Sequence, residues 1–317
     1  MLAAVVLLVL AAAGCNRGPS RVIGVVPKGS THVFWQAVHA GAIKAGGETG
    51  YEILWNAPAQ EGDRSRQIAI VESMVNQGVS GIALAPVDRA ALSTVVERSV
   101  AVGIPVMIFD SGIDTPKRLG YVGTDNREGG RVAARRMAAI LGTPGKLGII
   151  SDMPGSASTT ERQEGFAEQM RASSPAVTLL QVQFCEGDRA KARAIAENLL
   201  TAHPDLAGIF ADHENAIAGT VLALKASKLR SVKLVGFDAS EPLVQDLRDG
   251  WIDSLVVQNP FRMGYEAVRS IATKLGGGTP ATSVDTGVTL VCRPDLDRPE
   301  IRALLFPDIE KYLRRTN

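Results

Sequence analysis

RVIGVVPKGSTHVFWQAVHAGAIKAGGETGYEILW, residues 21–55, sets the pattern for the whole chain. Val22-Ile23-Gly24-Val25-Val26 is a short apolar run rich in β-branched residues, which predicts a buried strand. The spacing predicts a helix from His32 to Glu48, and Gly50 stops it. Tyr51 to Trp55 predicts the next strand. Strand, helix, strand in about 35 residues is a βαβ unit, whose strands must lie parallel.

The rhythm continues. Helices are predicted over Arg64–Gln77 and Arg89–Val102, with strands over Gly81–Ala85 and Ile104–Phe109. Beyond Tyr121 come helices at Asn126–Leu141, Ser158–Ala172, Arg189–Ala202, Ala216–Ala226, Glu241–Gly250 and Phe261–Leu275. Strands are predicted between them at Lys146–Ile150, Val177–Gln183, Ala207–Phe210, Val232–Phe237 and Ser254–Gln258. Such alternation demands parallel sheets covered by helices on both faces. So many strands are too many for one comfortable open sheet. The fold class is therefore α/β, two doubly wound parallel-sheet domains, with Gly120 to Asn126 as a crossing between them.

The first twenty residues read differently. MLAAVVLLVLAAAGCNRGPS has an apolar run from Leu2 to Ala13 and then Gly14-Cys15. It is too short for an ordinary spanning helix of about 20 residues. It reads as a signal-peptide core ending in small residues. It resembles the bacterial lipobox, which implies lipidation at Cys15 and a chain tethered by lipid outside the cytoplasm, at the periplasm or cell surface. No Lys or Arg precedes the run, a departure from the pattern.

Composition narrows the partners. A net charge of +1 argues against nucleic acid and against a polybasic membrane surface. Of the three cysteines, Cys185 and Cys292 remain beside Cys15, and an oxidising compartment permits a bridge between them. No Cys/His cluster suggests a metal, and no GxGxxG follows the first strand. No cofactor is expected.

In open parallel sheets, ligands bind outside the carboxyl ends of the strands. The residues there are His32, Phe34 and Trp35, then Asp110-Ser111, then Arg162, His213, Asp238 and Gln258. Carboxylates accept two hydroxyl protons, arginine donates a planar fork, and aromatic faces cover the C–H faces of a sugar ring. Asp110, Asp238 and Arg162 together carry a formal charge of −1, which disfavours a strongly anionic ligand. Each residue also has a plainer reading. Phe34 and Trp35 fit a helix core, Asp110 and Asp238 fit helix or turn caps, and Arg162 fits a pairing with Glu161 or Glu164. Asn215, Ser158 and Thr160 read equally as caps or wall residues.

As a set, these segments resemble the ribose-type periplasmic binding proteins, whose fold is shared by the effector domains of lac-repressor-type regulators. The matching segments are Phe109-Asp110, Gly155 to Phe166, Asn198-Leu199-Leu200, His203-Pro204-Asp205, Val235-Gly236-Phe237-Asp238 and Gln258. The resemblance runs from Val22 to about Leu290. It implies a type I periplasmic binding fold with ligand-stacking aromatics at Phe34 and Trp35. It places sugar-binding carboxylates at Asp110 and Asp238, an arginine at Arg162 and a glutamine at Gln258. The chain departs from the pattern at His32, Ser111, Gly187 and His213, which puts ribose itself in doubt.

The implied division is a leader over 1–20, an N-terminal lobe of 21–124 plus 259–287, and a C-terminal lobe of 125–258 plus 288–317. The three-strand hinge would lie near Gly123–Asp125, Gln258–Asn259 and Thr286–Val288. The expected function is capture of a small neutral sugar or polyol for the membrane permease subunits of an ABC transporter, by a monomer. A sensory receptor passing its closed form to a membrane sensor is the alternative. A glycosidase built on Asp110 and Asp238 is disfavoured, because ground-state hydrogen bonding explains both carboxylates. A transcription regulator would need a helix-turn-helix, and the leader-like residues before the first strand do not encode one.

Overall fold

The structure is a computed structural model that describes residues 21–30, 32–141 and 145–313. The expected leader, with Cys15, lies outside the described residues. The chain begins β1 (Val22–Val26), α1 (Val33–Thr49), β2 (Glu52–Trp55), α2 (Arg64–Asn76), β3 (Gly81–Leu84), α3 (Ser93–Ala101), β4 (Val106–Phe109) and β5 (Gly120–Gly123). It continues α4 (Asn126–Ile140), β6 (Lys146–Ser151), α5 (Ala157–Ser173), β7 (Thr178–Leu179), β8 (Gln183–Phe184), α6 (Arg189–Ala202), β9 (Leu206–Ala211) and α7 (Glu214–Ser227). It ends β10 (Lys233–Phe237), α8 (Glu241–Arg248), β11 (Ser254–Gln258), α9 (Pro260–Leu275), β12 (Ser283–Asp285), β13 (Val288–Cys292), α10 (Pro299–Leu305) and α11 (Glu310–Leu313).

These strands form two sheets, ordered β12-β5-β4-β3-β1-β2 and β13-β11-β10-β9-β6-β7, with β8 also paired to β6. Every pairing in the first sheet is parallel. The reason its strands read as continuous apolar runs is visible in the packing. Ile23, Val25, Met107 and Phe109 face a core closed by α1 and α9. Their neighbours Val26, Val106 and Ile108 face the opposite core, closed by α2 and α3. Side chains alternate across a strand, so a sheet covered on both faces needs apolar residues at every position.

Several sequence expectations change. Residues 120–123 are a strand, not only a crossing, because β5 is held between β4 and β12. The helix expected from Arg89 begins at Ser93, since Asp88 Oδ1 accepts from the amides of Ala90 and Ala91 and holds a turn there. The strand expected over Val177–Gln183 is two short pieces. The second sheet is not wholly parallel, because β13 runs antiparallel to β11. The bridge that the sequence left open does not form, and Cys185 and Cys292 are both free thiols.

The chain leaves the first sheet after β5 and returns after β11, then leaves again between β12 and β13. These connections are bonded to one another. Thr286 N donates to Gly123 O at 2.9 Å, and Thr124 Oγ1 donates to Gly287 O at 3.3 Å. The tail makes a fourth crossing. Ile301 of α10 sits in the core of the second lobe, while Tyr312 of α11 packs its ring 5.5 Å from that of Phe261 at the start of α9. The expected division kept all of 288–317 in the second lobe. The tail departs from it because an aromatic contact on the first lobe holds its last turn.

Close helix contact also fixes the site. A Cβ on Gly130 of α4 would lie 2.1 Å from Arg162 O, and one on Gly165 of α5 would lie 2.0 Å from Arg127 O. Only glycine allows α5 to approach α4 this closely, and that approach sets the position of Arg162.

Candidate functional site

The carboxyl ends of the two sheets face each other across a space of about 440 Å³. From the first lobe come Lys28, His32, Phe34, Trp35, Glu61 and Asp110. From the second come Asp152, Ser158, Thr159, Arg162, His213, Glu214 and Asp238, and Gln258 enters from the end of β11. Eight residues expected from the sequence are thus brought together: His32, Phe34, Trp35, Asp110, Arg162, His213, Asp238 and Gln258. Ser111 is not on the wall. It is fully buried, and its Oγ accepts from Ser158 N at 3.1 Å, a bond between the lobes.

Sequence reasoning missed Lys28, Glu61, Asp152, Thr159 and Glu214. Lys28 follows β1, Glu61 follows β2, Asp152 follows β6 and Glu214 opens α7 after β9. The strand-end rule would have found these four had it been applied to every polar residue there.

The two carboxylates are held in unusual backbone. Asp110 has φ 61° and Asp238 has φ 82°, two of the four described non-glycine residues in the left-handed region. Such strain persists only where the surroundings over-determine it, and it clusters at functional sites. Here the next strand supplies the constraint. Asp110 N donates to Val122 O at 2.9 Å, and Asp238 N donates to Val256 O at 2.8 Å.

Each carboxylate has a cation. Lys28 Nζ lies 2.9 Å from Asp110 Oδ2 and donates to Ser158 Oγ at 3.0 Å. An ammonium has three donors, and the bond to Ser158 uses one of them. Arg162 is 3% exposed and lies over the Phe237 ring. Its Nε donates to Asn126 Oδ1 at 2.9 Å and its Nη1 to Asp212 O at 2.9 Å, leaving Asp238 Oδ2 at 3.7 Å. Gln258 Nε2 donates to Asp238 Oδ1 at 2.6 Å. Burial pushes the Asp238 carboxyl above its usual range, against the pull of Arg162 and Gln258.

Trp35 has a double role. It packs edge-on to Phe34 and Phe109 in the core while its Nε1 donates to Glu61. Burial raises the Glu61 carboxyl as well. His213 Nδ1 lies 3.2 Å from Asp212 Oδ1, and its Nε2 lies 3.6 Å from Cys185 Sγ. Burial lowers its pKa, but the charge of Asp152 and the hydrogen bond to Asp212 outweigh that and hold it well above the usual value. Cysteine, histidine and aspartate in this order suggest a nucleophilic triad. Cys185 is fully buried in the second lobe's core and is absent from the wall, so its thiol has no access to a bound molecule.

The lobes are closed on each other. Besides Lys28–Ser158 and Ser111–Ser158, Arg89 N donates to Gly155 O at 3.0 Å and Arg64 Nη2 to Pro154 O at 3.1 Å. His32 precedes α1 in extended backbone, makes no cap bond with its side chain, and places Nδ1 2.8 Å from Glu214 Oε2 across the cleft. Burial lowers the His32 pKa, but the bond to Glu214 and the charges of Glu61 and Glu214 raise it to about 9. Glu214 is on the other lobe, so an open form loses its bond and charge and the His32 pKa falls back towards its ordinary range. The folded, closed form therefore takes up a proton. Its added stability is full below about pH 6.5 and is lost as pH rises through about 9. Ligand affinity is expected to fall between pH 6 and 9.5, and His32→Gln to flatten that fall. An equally steep profile in the variant, read by titration calorimetry, would remove His32 as the cause.

Among the described residues, six buried side-chain polar atoms lack a hydrogen bond, and four of them belong to this space. They are Asp110 Oδ2, Asp152 Oδ1, Thr159 Oγ1 and Gln258 Oε1. Asp110 Oδ2 has its ion pair with Lys28, but at an angle that is not a hydrogen bond. Buried polar atoms left unpaired are costly, so they mark places for a partner. Three of the four only accept. A molecule carrying several O–H donors satisfies them, and the paired charges around them leave little pull on an anion.

A family model described as periplasmic binding protein domain matches residues 23–279. The ribose import binding protein of Bacillus subtilis is 29% identical, over 80% of this chain and 82% of that protein. The D-ribose/D-allose-binding protein of Pseudomonas aeruginosa is 31% identical, over 77% and 79%. Among solved structures, a carbohydrate transporter solute-binding protein from Agrobacterium radiobacter in complex with D-arabinose superposes with a TM-score of 0.87 at 32% identity, covering 90% of this chain and 99% of that one. An ABC transporter solute-binding protein from Agrobacterium vitis with bound D-fucose gives 0.86 at 31%, covering 90% and 100%.

Proposed function

Because the chain belongs to the periplasmic binding protein domain family, we propose that it captures a small neutral sugar or polyol between its lobes and delivers it to an ABC importer. The observation that carries this reading is the convergence of four buried atoms without a hydrogen bond, mostly acceptors, inside a cleft lined by both cations and carboxylates. Hydrogen bonds to charged groups contribute about 1.5–3 kcal/mol each, so three or four can dominate affinity. Phe34 and Trp35 cover a face of the ring. Asp110, Arg162, Asp238 and Gln258 orient its hydroxyls, with Lys28 and Asp152 beside them.

The moving bodies in this reading are 21–124 with 259–287 and 125–258 with 288–305. They turn about the three connections that link the sheets, and closure traps the ligand. The closed form is the one that the permease reads. Lipid attachment at Cys15 would hold a monomer at the outer face of a membrane. The relatives are named as binding and transport proteins, and the carboxylates serve as ground-state acceptors, not as an acid/base pair.

Thermal unfolding against a panel of pentoses, hexoses, polyols and nucleosides tests this. A ligand at about 1,000 times its dissociation constant stabilises the native state by roughly 4 kcal/mol. In a protein of this size, that is a rise of several degrees in Tm. One or two stereochemically related sugars should produce it. A flat response across all sugars, with a rise for another solute, overturns the sugar reading.

A further inference from the structure

Beside the cleft lies a second space of about 1160 Å³, open on its outer side. Its walls come from both lobes and the tail and are apolar at Val33, Phe34, Val257, Leu304, Phe306 and Ile309, with carboxylates among them at Glu241, Asp308 and Glu310. The tail forms the roof as it passes from α10 on the second lobe to α11 on the first. Phe34, Asp238 and Gln258 are walls of both spaces.

The exposed side chains point to an occupant. Four large apolar side chains are exposed among the described residues, and two of them, Val33 at 51% and Phe306 at 47%, line this one chamber. Gln258, 2% exposed, stands on the shared wall with Oε1 unpaired. The partition between the spaces is thin. The Phe34 ring and the hydrogen-bonded pair Gln258–Asp238 border it on both sides.

We propose that the natural ligand is a sugar bearing an apolar substituent, an aryl or short-chain alkyl glycoside. Its ring sits in the cleft and its aglycone passes Phe34 into the side chamber. This rests on the sugar reading above and narrows it. A bare sugar held in the cleft leaves the chamber's exposed apolar wall uncovered. An aryl or alkyl group buries apolar surface against Val33, Leu304 and Phe306 instead. The carboxylates of Glu241 and Asp308 at the chamber's edge disfavour an anionic substituent such as a phosphate.

Calorimetric titration with the best sugar of the panel and with its methyl and phenyl glycosides, in both anomers, tests this. One phenyl anomer should bind on the order of tenfold tighter than its methyl counterpart. Phe306→Asp and Val33→Asp, both at exposed positions, should each bring the phenyl-to-methyl ratio towards one. If the sugar binds while every phenyl glycoside binds more weakly than its methyl counterpart, the chamber proposal fails and the sugar reading stands. An unchanged ratio in both variants also overturns it. If neither sugars nor glycosides bind, both readings fail together.

Discussion

Arg162→Met is expected to weaken sugar binding by about two to three orders of magnitude while leaving a folded protein. Methionine keeps much of the apolar stem that packs on the Phe237 ring but removes every donor. Asn126 Oδ1 and Asp212 O then lose their donor, and the Asp238 carboxylate loses its cation and keeps only the Gln258 amide. Breaking one side of a buried ion pair costs roughly 3–5 kcal/mol, because the other charge stays buried without compensation. In an open form, water can reach Asp238, so most of this cost falls on the closed, liganded state. Titration calorimetry measures the affinity, and a urea melt of the unliganded variant checks the fold. Binding within a few-fold of the parent would show that Arg162 is a structural brace between α4 and α5 and not a ligand contact.

That distinction bears on what the sequence could disclose. The two-sheet α/β architecture was legible because the central strands are continuous apolar runs with polar residues only at their ends, and double-sided burial requires this. The antiparallel β13 and the fourth crossing were not legible. Val288 to Cys292 is as apolar as any parallel strand, and nothing local reveals direction. Tyr312 sits in a short tail helix, and its contact with Phe261 joins residues 51 positions apart in sequence. The same limit governed the site. Asp110 and Asp238 end apolar strands and so stood out. Lys28 follows Pro27 in a loop, and its meaning comes from Asp110 and Ser158, 82 and 130 residues away. Ser111 sits beside Asp110 in sequence, yet its hydroxyl is spent on the backbone of the other lobe.

Lys28 and Asp110 should behave as a coupled pair. Lys28→Met leaves a buried carboxylate whose Oδ2 has no other partner, and Asp110→Asn leaves a buried ammonium whose remaining acceptor is Ser158. Each single change is expected to weaken ligand binding by about a hundredfold, in line with truncation of one partner of a buried charge pair. The double variant should be less impaired than the product of the two, with a coupling of roughly 1–3 kcal/mol between residues in direct contact. The pair also has a mechanical consequence. Lys28 bonds Ser158 on the other lobe, so Lys28→Met should slow closure or speed reopening, whereas Asp110→Asn should act mainly on ligand contacts. Stopped-flow fluorescence of Trp35 on mixing with ligand separates the two. If the single effects multiply in the double variant and both change only the dissociation rate, the pair is two independent ligand contacts, and closure does not run through Lys28.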